Sequence, residues 1–479
     1  MLSALVLAVA FGAFLYLVYR SPPAAYALLA ATVAANGLFI DVGVAVSASR
    51  LLTLAFLVWA ALRADALVTS PKLRGISVPA FALLAYVLVV TAASQAFFLP
   101  PIAGELSEVR ESSRWLIQWF SFCVSIAPLL IAPLALESTD DCARALRGFV
   151  QGVAAMCALA VVQWCSVQFF DTPILGIARH GLLGPDYDAS FFLAGDVIVQ
   201  RANGLAREPK DLAAAAAIAL TILGLVGLPG RAGSRRQLLW LGLLLFGGLV
   251  VSFATTGAFL AALGGAFVAM SVATAPDQAV VSRSGLRRIW VVAVVVAGIA
   301  LLAFLQSDYF DTILQERVTS RLGMLEDYDE VTLAFLLDNL SVWPTGVGAG
   351  LLPFFANDYL PNDPVLLEYM ANYTWDAKAG LLRWLGSFGL VGCSIAGFLL
   401  YRVFSRLSRA LDRVAPDGAQ LSRGALLLFA YLTFVEAARA IDEIYWVLIG
   451  ISLAYAMAGA SAGARERQPL AWSSGAAAR

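Results

Sequence analysis

Residues 201–211 read Arg-Ala-Asn-Gly-Leu-Ala-Arg-Glu-Pro-Lys-Asp and set three cations, Arg201, Arg207 and Lys210, beside two carboxylates, Glu208 and Asp211. The alanine-rich apolar run from Leu212 makes this stretch the entrance to a helix, with Pro209 suited to the first turn. A helix N-terminus attracts anions through its unpaired N–H groups and its dipole, and arginine adds a planar fork for phosphate oxygens. Such a group suits the retention of a phosphate or diphosphate, with Glu208 as a nearby proton acceptor. The same charges would also occur in a solvated loop that only marks the end of a span, and both readings stand at this level. A second polar group lies inside the apolar run 424–441, where Glu436 and Arg439 are one helical turn apart and Asp442 and Glu443 follow. Charge at mid-span costs about 2.5–3.5 kcal/mol on insertion scales, so its presence needs a reason. An internal ion pair is one reason and the wall of a polar cavity is the other. Asp376, just before the apolar run 380–401, is the alternative to Glu208 as a general base.

The elements that must position these groups are membrane spans. Of 479 residues, 60% are hydrophobic and only 14% charged, with a mean hydropathy of +0.80. Ordinary soluble chains carry about a quarter charged residues, so the sequence belongs to the membrane class. Apolar runs fall near 2–19, 24–42, 48–62, 76–99, 115–136, 148–170, 211–228, 238–253, 257–274, 289–306, 380–401, 424–441 and 444–461. The expected fold is all-α: a polytopic membrane protein of about 12–13 transmembrane helices, which about 20 residues per crossing permits. Loops carrying Arg63, Lys72 and Arg74, then Arg231, Arg235 and Arg236, then Arg283, Arg287 and Arg288, then Arg402, Arg406, Arg409, Arg413 and Arg423 are expected in the cytoplasm. The alternate loops, including Glu105, Glu108 and Glu111 and the long segments 171–210 and 307–379, are expected outside. That places the tail 462–479 in the cytoplasm and the N-terminus outside.

Several function classes drop away. A net charge of −1 and a pI near 6.0 provide no basic surface for nucleic acid. Cys123, Cys157, Cys165 and Cys393 lie in apolar segments and Cys142 in a short polar loop, so they read as small packing residues. With one histidine, His180, in a polar loop read as solvent-exposed, neither a metal nor another cofactor is expected. The stretch Leu2–Tyr19 lacks a basic leader and reads as a first span rather than a signal peptide. Arg50, Arg110, Arg114 and Arg383, near the outer ends of spans, read as interfacial anchors.

The segment 307–379 carries twelve acidic residues from Asp308 to Asp376 but also Leu333 to Leu340, Trp343, Phe354, Phe355 and Trp375. That apolar content predicts a folded cap of short helices on the membrane. Within it, Trp343-Pro344-Thr345-Gly346-Val347-Gly348-Ala349-Gly350 predicts a tight glycine-rich loop re-entering the membrane surface; the competing use is a backbone nest for an anion.

With these motifs in place, the chain resembles the O-antigen ligase and polysaccharide polymerase family of bacterial inner-membrane glycosyltransferases. The resemblance rests on the span order with one large outward loop, on Arg201 to Pro209 with its Glu-Pro helix start, and on Arg321 followed by Pro344-Thr345-Gly346-Val347-Gly348 and by Gly386-Ser387-Phe388-Gly389-Leu390-Val391-Gly392. It covers roughly residues 200–400, and the span pattern extends it to most of the chain. It implies transfer of a glycan from an undecaprenyl-diphosphate carrier to an acceptor hydroxyl on the outer side of the inner membrane. It implies Arg201, Arg207 and Arg321 as diphosphate contacts, with Lys210 as a further one, and a chain-length regulator and other glycan-export proteins as partners. Counting back from Gly389 to the place of the family's ligase histidine reaches Lys378, two residues after Asp376. The turn Ser252-Phe253-Ala254-Thr255-Thr256-Gly257 resembles another family turn but lacks its arginine. Both departures favour a polymerase, whose acceptor is the next lipid-linked repeat unit, over a ligase acting on lipid A core. A transporter or flippase is the competing class, although the two halves show no repeat.

Overall fold

The computed structural model describes residues 2–37, 39–41, 45–63, 70, 73–98, 111–170, 191–194, 197–226, 235–273, 327–360, 376–411 and 416–466. The apolar run 289–306, Arg321, His180, Arg110, Glu105, Glu108 and the loop residues Lys72, Arg231, Arg283, Arg287, Arg288 and Arg413 lie outside them. Helix dominates what is described. Among the described residues four helices are long and apolar enough to cross a membrane, Ser77–Phe98, Trp115–Ala135, Thr139–Phe170 and Gly380–Ala410, and shorter apolar helices accompany them. The chain is a helical membrane protein.

In chain order the helices are α1 (Leu2–Arg20), α2 (Pro22–Thr32), α3 (Ala48–Ala61), α4 (Ser77–Ala93, continued by a π-turn to Phe98), α5 (Glu111–Ala135), α6 (Thr139–Phe170), α7 (Pro209–Leu225), α8 (Arg235–Val251), α9 (Thr255–Ala273), α10 (Asp327–Asn339), α11 (Leu352–Phe355), α12 (Gly380–Leu411), α13 (Pro416–Ala438) and α14 (Glu443–Glu466). Two antiparallel ribbons interrupt them, β1 (Phe39–Asp41) with β2 (Ala45–Ser47), and β3 (Phe191–Ala194) with β4 (Val197–Gln200). The expected span 24–42 is therefore corrected: its helix ends at Thr32, and Phe39–Asp41 form a strand of a hairpin. The reason is a docking contact, in which the Gly37 N–H donates to the Leu205 carbonyl at 2.9 Å. Gly37 lies so close to the Ala206 backbone that a Cβ there would stand 2.5 Å from its carbonyl oxygen. Cys142 is corrected likewise. It sits fully buried in the first turn of α6, because Ser138 and Asp141 exchange backbone and side-chain hydrogen bonds that start the helix at Thr139, ahead of the apolar run itself.

Small residues let the helices approach. Ala213 to Ala217 of α7 are all buried, placing this helix in the middle of the bundle. Gly148 and Gly152 of α6, four apart, lie against the backbone carbonyls of Ala27 and Ala31 of α2. Without water to expel, close backbone packing of this kind is what holds spans together.

The helix α12 is broken at Gly389, whose backbone (φ 61°, ψ −169°) is not helical. The loop Pro344–Gly350 fills the break. The Val347 and Gly348 N–H groups donate to the Gly386 and Ser387 carbonyls at 3.0 and 2.7 Å, and the Val391 N–H donates to the Pro344 carbonyl at 3.2 Å. The Ala349 N–H donates to Thr91 Oγ1 of α4 at 2.9 Å. In a bilayer every backbone group must find a partner, and here the loop supplies those the break removes. The expected tight glycine-rich loop is thus present, packed into the break of α12, and the N–H groups of Gly346 to Ala349 are engaged rather than presented to an anion. Tyr86 Oη of α4 fastens the assembly by donating to the Thr345 carbonyl at 2.8 Å and the Phe388 carbonyl at 3.2 Å. Tyr86→Phe is expected to cost about 1 kcal/mol in detergent unfolding and to speed amide exchange at 345–349, since one net hydrogen bond is lost.

The remainder of the cap has its own small core, with Val331, Phe335 and Leu336 of α10 packed on Val347, Leu352 and Ala356 and resting on Leu382 and Leu385 of α12. At the opposite end of the bundle, Arg402 Nε donates to the Gly75 carbonyl at 3.1 Å and Arg406 donates to the Arg74 carbonyl. Two basic segments far apart in sequence thereby share one end.

Candidate functional site: a charged cluster at the polar end of the bundle

The opposite, polar end gathers the starts of α3, α7, α12 and α14 with the chain leaving α2, α8 and α13. Backbone bonds fix this arrangement: the Arg207 N–H donates to Asn36 Oδ1 at 2.8 Å, the Ala202 N–H to the Val251 carbonyl at 3.1 Å and the Ala440 N–H to the Lys378 carbonyl at 2.9 Å. Gly380 abuts the Glu436 backbone carbonyl, where no side chain would fit. Residues from three distant parts of the chain, 208–211, 376–383 and 436–443, thus meet.

Arg439 Nη2 contacts Asp211 Oδ1 at 2.7 Å, joining the end of α13 to the first turn of α7. Of the two readings of Glu436 and Arg439, the ion pair between them does not form among the described residues. Glu436 instead turns Oε2 to the backbone N–H groups of Ile441 and Asp442, at 2.8 and 3.2 Å, and so stabilises the left-handed residue Asp442 (φ 37°) between α13 and α14. The second oxygen of Glu436 and the Nε of Arg439 are buried without a partner among the described residues. Arg383 is also more than an interfacial anchor. Its Nε and Nη1 contact Asp376 and Asp442, each at 2.7 Å, bridging the approach to α12 and the start of α14. Arg50 likewise pairs with Glu443 at 2.7 Å, with Ser49 donating to the same carboxylate at 2.9 Å.

Lys378 sits at the centre. Its N–H and that of Ala379 donate to Asp329 Oδ1 of the cap helix, at 2.7 and 3.0 Å, and its ammonium lies 5.2 Å from the Tyr328 ring centroid. Asp329 is a buried cap for the start of α12 that sequence reasoning missed. Its partner lies 49 residues away, and a lone aspartate in an acidic segment gives no signal.

Electrostatics separate the two carboxylates considered as bases. Burial raises the Glu208 carboxyl, but the charges of Lys210, Lys378 and Arg439, with the Lys210 contact at 3.2 Å, outweigh it and hold the group down at about 2. Glu208 is therefore an ionised partner of the cations and a weak proton acceptor at neutral pH. The stabilisation it contributes is complete above its unfolded value of about 4.3 and is lost as pH falls towards 2. Glu208→Gln is expected to remove the part of the protein's acid sensitivity that lies in this window, as read by thermal unfolding between these pH values. Burial also raises the Asp376 carboxyl, reinforced by Asp442 and opposed by Arg383, the Ala377 N–H and Lys378; here the rise prevails. A carboxyl raised on folding binds its proton more tightly in the folded state, so its ionised form costs stability at neutral pH. Asp376→Asn is therefore expected to leave the melting temperature at or above that of the parent at pH 7.

Of the residues singled out in the sequence, Glu208, Lys210, Asp376, Lys378, Glu436 and Arg439 come together. Arg201 lies to one side, its Nε donating to the Ser252 carbonyl at 3.1 Å, so a guanidinium does reach the turn that lacks its own arginine. Arg207 is exposed in the same loop. Among the described residues no group of His, Cys, Asp and Glu is arranged to hold a metal ion. No protein-family model matches the chain, and comparison with curated proteins returns no match.

Proposed function

We propose that this protein is a membrane glycosyltransferase of the polysaccharide-polymerase type. It would transfer a glycan from an undecaprenyl-diphosphate carrier to a hydroxyl of the next lipid-linked repeat unit, at the outer face of the bacterial inner membrane. The observation that supports this reading is the convergence of Lys210, Lys378, Arg383 and Arg439 with Glu208, Asp211 and Asp376 at one end of an apolar bundle. A lipid-linked diphosphate presents its charge at that depth while its chain stays in the bilayer. The positive-inside rule turns the Arg402 and Arg406 end to the cytoplasm and the charged cluster outward.

In the proposed reaction the bond between the donor sugar's anomeric carbon and the diphosphate oxygen breaks, and a bond from that carbon to the acceptor oxygen forms. The hydroxyl proton passes to Asp376, the carboxylate with the raised affinity for it. The electron pair leaves with the diphosphate, whose developing charge Lys378 and the neighbouring cations stabilise. No nucleotide is consumed, because the sugar–diphosphate bond is already activated.

The test replaces Arg201, Arg207, Arg321 and Lys378 singly with alanine in the producing cell and follows the length of the surface or secreted glycan, with protein level measured alongside. Collapse to single repeat units with the protein still in the membrane supports the proposal. Normal polymer that no longer joins lipid A core would establish a ligase instead. Wild-type behaviour in all four variants would overturn the diphosphate site and favour a transporter.

A further inference from the structure

At the end of the bundle away from the charged cluster, α1 and α3 flank a groove of about 350 Å³ lined by Gly12, Leu15, Tyr16, Tyr19, Trp59 and Leu62. Its wall is almost wholly apolar, and its edge is not. Arg20 ends α1, and the Arg63 guanidinium just beyond α3 lies 4.8 Å from the centre of the Trp59 ring. Neither arginine is in an ion pair among the described residues. Trp59 is 3% exposed and its Nε1–H has no acceptor among the described residues. A buried indole N–H normally finds a partner. The groove also has spare room beside Gly12, an exposed position where a Cβ would meet nothing within 4 Å.

We propose that this groove is a binding site for one anionic phospholipid of the bilayer, with an acyl chain along Gly12, Leu15 and Tyr16 and its phosphate between Arg20 and Arg63. Charge complementarity selects this occupant. An apolar slot alone would accept any chain, whereas two arginines at its mouth, neither in an ion pair among the described residues, select a negative headgroup. This site is remote from the proposed diphosphate cluster and does not depend on it.

The test uses the full-length protein, purified in detergent and delipidated. Phosphatidylglycerol or phosphatidylcholine is added back and the adducts are counted by native mass spectrometry. One tightly held phosphatidylglycerol is expected, bound about tenfold or more tightly than phosphatidylcholine, the preference that two cations at a membrane surface provide. The Arg20→Ala/Arg63→Ala double variant should lose that preference. Gly12→Leu, which fills open space, should lose the adduct while its melting temperature stays that of the parent. Equal retention of the two lipids, or a phosphatidylglycerol adduct undiminished in Gly12→Leu, would overturn the proposal. So would its displacement by equimolar undecaprenyl phosphate, which would make the groove a carrier-lipid site.

Discussion

Replacing Lys378 with alanine is expected to lower glycan polymerisation by about 10²–10³-fold, the usual loss when one preorganised donor to a developing negative charge is removed. Its backbone is held independently of its side chain: the N–H is bound by Asp329 and the carbonyl by the Ala440 N–H. Alanine keeps both bonds, so the α12 start and the chain between α13 and α14 should stay in place. What leaves is one positive charge acting on Glu208 and on Asp376. Lys378→Arg should restore part of the polymer length, since it restores charge but offers a planar fork in place of a compact ammonium. The measurement is the length distribution of the glycan at matched protein level. Normal length in Lys378→Ala would remove Lys378 from the reaction.

The largest loss of stability is expected from Gly389→Ala. Its combination of φ 61° and ψ −169° is essentially a glycine conformation and costs another residue about 1–3 kcal/mol. An added Cβ would also collide with the Pro344 carbonyl and the Gly346 N–H. Relief of that collision requires the glycine-rich loop to withdraw, which breaks the bonds from Val347, Gly348 and Val391 that serve the gap in α12. The combined loss is put at about 3 kcal/mol or more, beyond what a typical substitution causes. Gly397 provides the internal control. It lies in the same helix, and a Cβ there meets nothing within 4 Å, so Gly397→Ala should be neutral or mildly stabilising. Melting temperature in detergent and the amount of membrane-inserted protein check both variants together. Equal behaviour of the two would show that the break carries no packing role.

Much of the helical architecture was legible in residue types. Runs of apolar residues must form helices in lipid because each span has to satisfy its own backbone, and α4, α5, α6 and α12 lie where those runs fall. The glycine pairs at 346–348 and 386–389 also announced themselves, since a glycine-rich turn beside a small-residue helix invites close backbone approach. Other features were not legible. The residues 33–41 are as apolar as a span, yet they leave the helix, because the contact that draws Gly37 to Leu205 and Ala206 joins positions about 170 apart in the chain.

The candidate site divides in the same way. Composition and spacing by themselves determined that this chain lies in a membrane and that reactive charge collects at 201–211, at 376–378 and at 436–443, because charge in an apolar run is costly enough to stand out wherever it occurs. Which charges meet was decided by the tertiary structure alone. Glu436 and Arg439, one turn apart, look like a pair, yet Arg439 reaches Asp211 and Glu436 caps Ile441 and Asp442. Arg383 looks like an anchor, yet it holds two aspartates. Local spacing sets which face of a helix a side chain occupies, but in a bundle its partner is set by which helix packs alongside. That choice follows from small-residue contacts, such as Gly380 on the Glu436 carbonyl, which leave no trace in the charge pattern.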